Sequence, residues 1–404
     1  MIQYERYKPL SSLVSWNWQQ TDWPDFTWNQ ARLALAEREF LLGGGSYIGV
    51  IKHLDEKQRN QFTIDVMSTE ALTTSEIEGE ILDRESVQSS IQKQLGLAGD
   101  HRRARPAEHG ISEMMVDLYK SFSSPLVEDG LFEWHRMLTS GRRDLVDIGR
   151  YRTSSEPMQI VSGPMGSPKV HFEAPPSGCV PNEMARFLDW FNRTSPSGAD
   201  SLPALTRAGI AHLYFESIHP FEDGNGRIGR AIAQKALAQS LGQSSLIALA
   251  ATILLNRTGY YAALEAATKS TEITAWLAWF AGVIIEAQRR TVALIEFLID
   301  KTRLFDRLAG NLNERQKKAL LRMFQEGPEG FKGGLTASKY SAITGASPAT
   351  ITRDLSDLTE KGALIRRGER RHARYALSVP LRPVPRVSIS DCGNLVEVQK
   401  DQEP

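Results

Sequence analysis

The chain has 404 residues, of which 41% are hydrophobic and 24% are charged, with 48 basic and 48 acidic side chains. This composition excludes a mainly disordered chain, and a net charge of zero gives no support to a nucleic-acid or membrane partner. The length predicts two or three domains. Two distant cysteines, Cys179 and Cys392, indicate neither a disulfide framework nor a zinc site. With no signal-peptide pattern and no apolar run of about 18 residues, we expect a cytoplasmic protein without a membrane partner.

Residues 1–93 are expected to form an N-terminal helical arm. Half of the eight tryptophans of the chain lie in its first thirty residues, namely Trp16, Trp18, Trp23 and Trp28. Large aromatic side chains of this kind favour an arm anchored onto a helical body over a ligand site. From there to about Leu95 the pattern predicts two or three helices. A break is expected at Gly43 to Gly45, because each glycine costs a helix about 1 kcal/mol.

Residues 94–304 predict a helical core that carries one β-hairpin. Helical patterns cover Pro106 to Leu138 and Pro181 to about Leu304. Between them, Met158 to Val161 and Lys169 to Phe172 are β-prone pieces in a stretch rich in proline, glycine and serine, so they predict a hairpin. The fold class that follows is mainly α with a small β-hairpin.

A change of character after Gly310 predicts a small separate domain at residues 311–380. A capping residue, Thr336, and a turn glycine, Gly345, predict two short helices, and a basic hairpin follows them. The prolines after residue 380 cannot continue a helix. Residues 381–404 are therefore expected to form a flexible tail.

The densest motif is the run His-Pro-Phe-Glu-Asp-Gly-Asn-Gly-Arg-Ile-Gly-Arg at residues 219–230. Helical patterns flank it on both sides, so it is predicted to join two helices. Gly224 and Gly226 permit positive φ or a close backbone approach, and Asn225 tolerates left-handed geometry. Successive N–H groups can then turn toward one point, and such a nest at the start of a helix favours phosphate.

The charged residues of the loop suit a nucleoside polyphosphate. Arg227 and Arg230 are three positions apart and can add charge-assisted hydrogen bonds to phosphate oxygens. Asp223 supplies the hard oxygen ligand that Mg²⁺ prefers. His219 titrates near the working pH and can take a proton from an attacking hydroxyl. Each residue alone has an ordinary explanation as a core histidine, a solvated arginine or a turn glycine, but eight fixed positions together favour a function.

With this loop, the chain resembles the Fic family of nucleotide-dependent transferases over about residues 94–304. The resemblance implies an all-helical core with a β-hairpin flap, and transfer of AMP from Mg·ATP to a Ser, Thr or Tyr hydroxyl of a protein. It implies His219 as the general base, Asp223 as the magnesium ligand and Phe221 as the buried residue that pins the loop. The ATP-binding set implied by the resemblance is Glu78, Gly224, Asn225, Gly226, Arg227, Ile228, Gly229, Arg230, Tyr260 and Tyr261.

Weaker motifs extend the resemblance. One is Gly149-Arg-Tyr-Arg152, and another is the tyrosine pair Tyr260-Tyr261. At least one of the two tyrosines is expected to contact the nucleobase, and the alternative is a pair of core aromatics on a helix.

Upstream, the inhibitory motif Thr74-Ser-Glu-Ile-Glu78-Gly79 is similar to a segment that holds some Fic proteins inactive. The resemblance implies that Glu78 pairs with Arg230. An arginine held by a carboxylate cannot also hold the γ-phosphate, so the α-phosphate is badly placed for attack. The alternative is that Glu78 is a surface charge. In related proteins the same glutamate can orient water for removal of AMP, so the direction of the reaction stays open.

The C-terminal basic hairpin resembles the wing of a winged helix-turn-helix DNA-binding domain, with five arginines in the nine residues 366–374. Arginines so placed can contact DNA phosphates, and the preceding helix would face outward as a recognition helix does. The DNA-binding set predicted on this basis is Thr350, Arg353, Arg366, Arg370 and Arg371. The alternative is that the domain dimerises the protein or docks on the core.

Two functions from different classes follow from the sequence. One is a self-inhibited protein adenylyltransferase that uses ATP and Mg²⁺ on an unidentified protein target, itself included. The other is a DNA-binding regulator whose Fic-like core senses a nucleotide. The intact His219 favours the first. Transfer of UMP or of another phosphate-containing group stays open, as do the nucleobase preference and a homodimer.

Overall fold

The structure is a computed structural model that describes residues 15–52, 54–97, 104–164, 168–244, 247–331, 333–369 and 372–398. The chain divides into two compact units. One comprises Met1–Gln288 with Arg386–Pro404, and the other comprises Arg289–Pro385. The described part of residues 1–93 thus belongs to the same unit as the helical core.

The fold is mainly α. The helices are α1 (Gln30–Lys52), α2 (Glu56–Ile77), α3 (Arg84–Gln94), α4 (Pro106–Ser121), α5 (Glu128–Leu138), α6 (Val180–Arg193), α7 (Ala204–Ile218), α8 (Asn225–Leu241), α9 (Leu249–Leu255), α10 (Arg257–Ala267), α11 (Thr274–Arg307), α12 (Glu314–Phe324), α13 (Ala337–Thr344) and α14 (Pro348–Glu360). The strands form three antiparallel hairpins: β1 (Gln159–Ser162) with β2 (Lys169–Glu173), β3 (Leu364–Arg367) with β4 (Arg374–Leu377), and β5 (Arg386–Ile389) with β6 (Leu395–Val398). No helix among the described residues is long and apolar enough to cross a membrane.

Helix α1 runs through the glycines that were expected to break it, so that prediction is wrong. The reason is close packing. A Cβ on Gly43 would lie 2.4 Å from the side-chain oxygen of Gln288, and a Cβ on Gly44 would lie 2.5 Å from a methyl group of Leu241. The glycines therefore let α1 approach its neighbours, and this contact outweighs their low helix propensity.

Of the N-terminal tryptophans, Trp23 packs on Tyr214 of α7, in agreement with an arm anchored onto the helical body, while Trp16 and Trp18 pack onto the hairpin β1–β2. Trp16 is buried with its ring centroid 5.4 Å from that of Phe172. The indole N–H of Trp18 donates to the carbonyl of Glu173 at 2.7 Å. The arm therefore holds the base of the hairpin against the helical body.

Helices α7 and α8 form the centre of the first unit. Every residue of α7 is buried, which is the environment expected for a helix that is packed on all sides. The two helices pack together and are joined by a loop of six residues, 219–224. The loop therefore sits at the end of a rigid helical pair.

In the second unit, the C-terminal part of α11 is followed by the helices α12, α13 and α14 and then by the hairpin β3–β4. Asn313 and Thr336 cap α12 and α13, each accepting a hydrogen bond from the backbone N–H three residues later. Leu335 forms a further bridge with Tyr375 beside the hairpin β3–β4. Its buried core takes a side chain from each of these elements, among them Phe297, Leu320, Tyr340, Leu355, Leu364 and Leu377.

The expectation of a flexible tail at residues 381–404 is wrong for the hairpin β5–β6. Val387 and Ile389 are buried, and the guanidinium of Arg32 donates to the carbonyl of Ser390 at 3.2 Å. Strand β5 alternates polar and apolar residues, and Gly393 lies in the turn with φ of 80°. The prolines before the hairpin led to the prediction of a tail, and the period-two pattern of β5 was not used.

Candidate nucleotide-binding site

His219 occupies an unusual backbone conformation at the end of α7. Its φ of 49° and ψ of 61° are left-handed, and among the described residues it is the one non-glycine residue with positive φ. Its N–H still bonds to the carbonyl of Phe215 at 2.9 Å, so α7 ends with a defined turn. Left-handed geometry is costly for a residue with a Cβ and is typical of functional sites. The turn leaves the imidazole 15% exposed at the mouth of the loop.

Three contacts fix the loop. The side chain of Asn225 accepts from the N–H of Phe221 at 3.0 Å and donates to its carbonyl at 2.8 Å. Phe221 is fully buried, as predicted, and stacks on His135 with ring centroids 4.3 Å apart. Arg152, from one of the weaker motifs, donates from Nε to the carbonyl of His219 at 2.9 Å. The catalytic candidate is therefore held from both sides.

The start of α8 differs in part from the predicted nest. Gly224 is left-handed with φ of 85°, whereas Asn225 and Gly226 already belong to the helix. Asn225 serves as the clamp on Phe221 instead of adopting left-handed geometry. The first N–H groups of α8 begin directly after Gly224, so a helix N-terminus, which favours anions, opens beside His219.

Arg230 is bound by the segment from Thr74 to Gly79, whose hydrogen-bonding groups lie on and just after α2. Its Nη2 donates to Oε1 of Glu78 at 2.7 Å and to the carbonyl of Thr74 at 2.9 Å, and its Nε donates to Oγ1 of Thr74 at 2.7 Å. A Cβ on Gly226 would lie 2.2 Å from Oε1 of Glu78. Gly226 is thus needed for the approach of Glu78. Gly79 follows with φ of 85° and ends the segment.

Two further ion pairs were missed by sequence reasoning. Nη1 of Arg227 donates to Oε2 of Glu80 at 2.8 Å. Oδ2 of Asp223 accepts from Nη1 of Arg142 at 2.6 Å. Both partners lie far away in the sequence and in no recognisable motif, so only the folded chain could reveal them. Each of the three charged groups predicted to handle phosphate or metal is held by an oppositely charged side chain.

Asp223 could serve as the one carboxylate ligand of a magnesium ion that is also bound by a polyphosphate. Burial opposes its ionisation, but Arg227 and Arg142 hold the pKa of Asp223 below its ordinary value, so it is an anion at neutral pH. No group of three or more His, Cys, Asp or Glu side chains arranged for a metal occurs among the described residues. Mg²⁺ held by one carboxylate and the oxygens of a polyphosphate is a common arrangement. Asp223 can serve in it if Arg142 moves aside.

The two tyrosines differ sharply in exposure. Tyr260 is 1% exposed, and its hydroxyl lies 2.8 Å from Nε2 of His212, which is a core contact. Tyr261 is 40% exposed and donates to the carbonyl of Ile77 at 3.2 Å, one residue before Glu78. A buried ring cannot stack on a nucleobase in this conformation, so the prediction of a nucleobase contact passes to Tyr261 alone.

Ile228 and Gly229 complete the predicted set. Ile228 is fully buried and its N–H makes the first helical bond of α8, to the carbonyl of Gly224 at 3.1 Å. Gly229 is also buried and faces α7, where a Cβ would lie 2.5 Å from the carboxylate of Glu216. Both residues therefore act through packing, and sequence reasoning gave no role to Glu216.

The predicted DNA-binding residues belong to the second unit. Thr350 is half-buried on α14, with its hydroxyl 3.0 Å from that of Ser347, while Arg353 and Arg366 are exposed. Arg370 and Arg371 lie outside the described residues. Exposure of the arginines is compatible with phosphate contact.

Comparisons with known proteins match this chain in two places. The model of the Fic/DOC family matches residues 125–237, and that of a domain of unknown function (DUF4172) matches residues 16–97. The solved structure of a Fic family protein from Desulfovibrio desulfuricans G20 is similar over 88% of this chain and 98% of that chain, with 23% identity and a TM-score of 0.51. This likeness concerns the fold.

Curated relatives are similar over shorter stretches. Protein adenylyltransferase fic-1 of Caenorhabditis briggsae is 26% identical over 198 residues, which are 48% of this chain and 35% of that protein. A probable protein adenylyltransferase of Aquifex aeolicus is 33% identical over 69 residues, 17% of this chain and 20% of that protein. The matches thus cover about a third of the length of the first relative and a fifth of the length of the second. The part of this chain that matches the Fic/DOC family model, residues 125–237, contains the whole run from His219 to Arg230.

Proposed function

We propose that this chain is a protein adenylyltransferase, which transfers AMP from Mg·ATP to a Ser, Thr or Tyr hydroxyl of a protein. The observation that carries the proposal is the meeting of His219 with the N-terminus of α8, where Asp223, Arg227 and Arg230 lie within one loop and turn. The names of the curated relatives support the same reaction. A Fic domain alone would not decide among nucleotides or acceptors.

His219 would take the proton of the acceptor hydroxyl while its oxygen attacks the α-phosphorus. The bond from that phosphorus to the bridging oxygen breaks, and pyrophosphate leaves. Arg227 and Arg230 would bind the outer phosphates and hold the α-phosphate in line for attack. Asp223 would hold Mg²⁺, whose charge would stabilise the leaving pyrophosphate.

The proposal includes a brake. Arg230 donates hydrogen bonds from Nη2 to Glu78 and from Nε to Thr74, and its remaining nitrogen, Nη1, has no hydrogen-bond partner. A γ-phosphate would have to replace Glu78 to bind in the productive pose. Whether the chain mainly adds AMP or, with Glu78 orienting a water, also removes it depends on this contact.

Intact-mass measurement after incubation with Mg·ATP tests the reaction. The chain with Glu78→Gly should gain the mass of one or more AMP groups, more than the wild type gains. The same chain with His219→Ala added should gain none. If Glu78→Gly gains phosphate mass instead, or if His219→Ala leaves the gain intact, the proposed reaction or its base is wrong.

A second candidate, DNA binding by the second unit, is favoured by one observation. Arg366, Arg367 and Arg374 lie on the paired strands β3 and β4 and are all exposed, with Arg367 directly opposite Arg374. We infer a winged-helix role from the order of elements, with Arg353 of α14 also exposed. Binding to duplex DNA measured at low and moderate salt tests it, and no binding at low salt would remove this candidate.

A further inference from the structure

Glu216 is a buried carboxylate that the proposed reaction leaves without a task. It lies one turn before His219 on α7, and its side chain is 6% exposed. Its Oε2 lies 3.7 Å from Nδ1 of His219. Neither that nitrogen nor Oε1 of Glu216 has a hydrogen-bond partner. Buried polar atoms without partners are uncommon in folded proteins, so the ring nitrogen and the carboxylate beside it both call for an explanation.

The fold keeps space for this carboxylate. A Cβ at Gly229 of α8 would lie 2.5 Å from Oε1 of Glu216 and 3.1 Å from Nδ1 of His212. A side chain at position 229 would therefore push into Glu216. The glycine lets the backbone of α8 pass close to α7 while the carboxylate stays beside His219.

Electrostatics gives the pair a reason to act together. Burial lowers the pKa of His219 to about 4, with Arg152 adding to the effect, so the imidazole alone would be a weak base. Burial raises the pKa of Glu216 to about 8, with the carboxylate of Glu78 adding to the effect. Each charge is unfavourable by itself, whereas an imidazolium that faces a carboxylate compensates both.

The other charged groups near the pair do not replace Glu216. Arg152 disfavours the imidazolium, while the backbone carbonyl of Glu216 and, from farther away, the carboxylates of Glu78 and Asp223 favour it. Those two carboxylates are bound to arginines, Glu78 to Arg230 and Asp223 to Arg142. Glu216 is the carboxylate within ion-pair distance of the His219 ring among the described residues.

We propose that Glu216 is the positioning residue of His219: in its ionised form, with its own proton released to solvent, the carboxylate accepts the Nδ1 proton and so directs the lone pair of Nε2 toward the acceptor hydroxyl. When that hydroxyl gives its proton to Nε2, Nδ1–H stays on the ring and Glu216 stabilises the imidazolium. The gap of 3.7 Å closes to a hydrogen bond on nucleotide binding, since catalytic contacts are often loose before substrate binds. The kinetic part of this proposal rests on the proposed AMP transfer, and the structural part does not.

Glu216→Gln tests the structural part without any assay of activity. The amide keeps the volume but not the charge. Nitrogen NMR of the histidine rings should show His219 as the Nδ1–H tautomer in the wild type with Mg and a non-hydrolysable ATP analogue, and as a mixture in Glu216→Gln. The pKa of His219 should also be lower in the variant. Identical tautomers and identical titration in both proteins would overturn the proposal.

The kinetic part is measured in the Glu78→Gly background. Glu216→Gln should lower kcat about a hundredfold or more with KM for ATP unchanged, because loss of the carboxylate partner of a catalytic histidine has effects of that size. Glu216→Asp should recover part of the loss. Glu37→Gln is the matched control, because Glu37 is a carboxylate with a raised pKa that accepts from the N–H groups of Leu205 and Thr206 at the opposite end of α7.

The outcomes separate the two proposals. If no variant transfers AMP, the proposed function fails and NMR alone decides the role of Glu216. If transfer occurs and Glu216→Gln is as fast as Glu37→Gln, the positioning role fails while the proposed function stands. If Glu216→Gln does not fold, the Glu216→Asp comparison decides, with an unchanged tautomer and rate as the contradicting result.

Discussion

The motif at residues 219–230 and the hairpin β3–β4 both carry arginines, but the two sets differ in their burial and in their partners. In the motif, the side chains of Arg227 and Arg230 are 6% and 3% exposed, and they are bound to Glu80 and Glu78, respectively. On the hairpin, the arginines at 366, 367 and 374 are exposed. A buried guanidinium must have partners, because burying an unpaired charge is very costly, whereas an exposed one is hydrated.

The difference shows where each function would be controlled. The partners of the loop arginines lie 147 and 152 positions away in the sequence, so any ligand of the loop competes with contacts set by the fold. The hairpin arginines can meet a polyanion directly. Substitutions in the loop should therefore act through specific contacts, and substitutions in the hairpin through charge.

The largest effect is expected at His219. In the Glu78→Gly background, His219→Ala should slow AMP transfer by about 10²- to 10⁴-fold, the usual cost of losing a general base. ATP affinity, measured by calorimetry, should change little because the phosphate contacts remain. His109→Ala is the matched control, since His109 is half-exposed on α4 and pairs with Glu113. Equal losses in both variants would mean that His219 acts through stability.

The brake comes next in size. Glu78→Gly should raise transfer at fixed Mg·ATP by about ten- to hundredfold, because hydrogen bonds to a charged group contribute roughly 1.5 to 3 kcal/mol. Arg230→Ala should not mimic it, since that variant loses the brake and the phosphate contact together. The double variant should be no faster than Arg230→Ala.

Glu80→Gln tests whether the brake depends on Glu78 in particular. The side chain of Glu80 is 37% exposed against 30% for Glu78, and it holds Arg227 through one hydrogen bond. A partly exposed pair contributes at most about 1 kcal/mol, so a rise of no more than about fivefold is expected. A rise equal to that of Glu78→Gly would show that Glu78 has no special place in the brake.

On the hairpin, the combined change Arg366→Ala and Arg374→Ala should weaken DNA binding about equally for all sequences. The slope of log affinity against log salt should fall by about 0.9 for each lost phosphate contact. Arg303→Ala, at an exposed arginine of α11 in the same unit, is the control. A loss confined to one DNA sequence would indicate base contacts and would break the contrast with the loop.

The smallest effect concerns pH. Burial raises the pKa of Glu216 to about 8 and that of Glu70 to about 7, above the ordinary 4.5. The folded form therefore binds more protons, so this contribution is present below about pH 4.5 and is lost as pH rises through 7 to 8. The free energy of unfolding of the first unit should fall by an amount on the order of 1 kcal/mol from pH 6.5 to 8.

Combining Glu70→Gln with Glu216→Gln should flatten this decline, as denaturant unfolding at several pH values would measure. The second unit provides the contrast. Asp354 and Asp357 there have lowered pKa values, Asp354 because Arg315, Tyr340 and Asn313 bind it against the effect of burial, and Asp357 because Lys361 and Gln316 bind it. Those carboxylates are ionised throughout this pH window. A decline of the same size in the double variant would show that other groups are responsible.

The sequence predicted the parts of the molecule that local patterns determine. The loop, its flanking helices, the hairpin at residues 159–173 and the cap Thr336 all follow from short-range signals. Long-range packing explains most failures. The helix through Gly43 and Gly44 depends on contacts with Gln288 and Leu241, which no local propensity contains.

The site shows the same division. The motif predicted the pairing of Glu78 with Arg230 only through its resemblance to a segment of Fic proteins. The partners Glu80, Arg142 and Glu216 have no motif of their own, and the left-handed backbone of His219 has no signal in the local sequence. Such features arise where the fold imposes a geometry that local preference opposes, and they concentrate at the candidate site.

The central claim is that the α-phosphate of ATP passes to a protein hydroxyl with His219 as base. The most direct measurement compares ATP radiolabelled at the α-phosphorus with ATP radiolabelled at the γ-phosphorus, each given with Mg²⁺ to the Glu78→Gly chain and a whole-cell protein extract. We expect radiolabel on protein only from ATP labelled at the α-phosphorus, and no labelled protein when His219→Ala is added. Label from the γ-position, or α-label that survives His219→Ala, would contradict it.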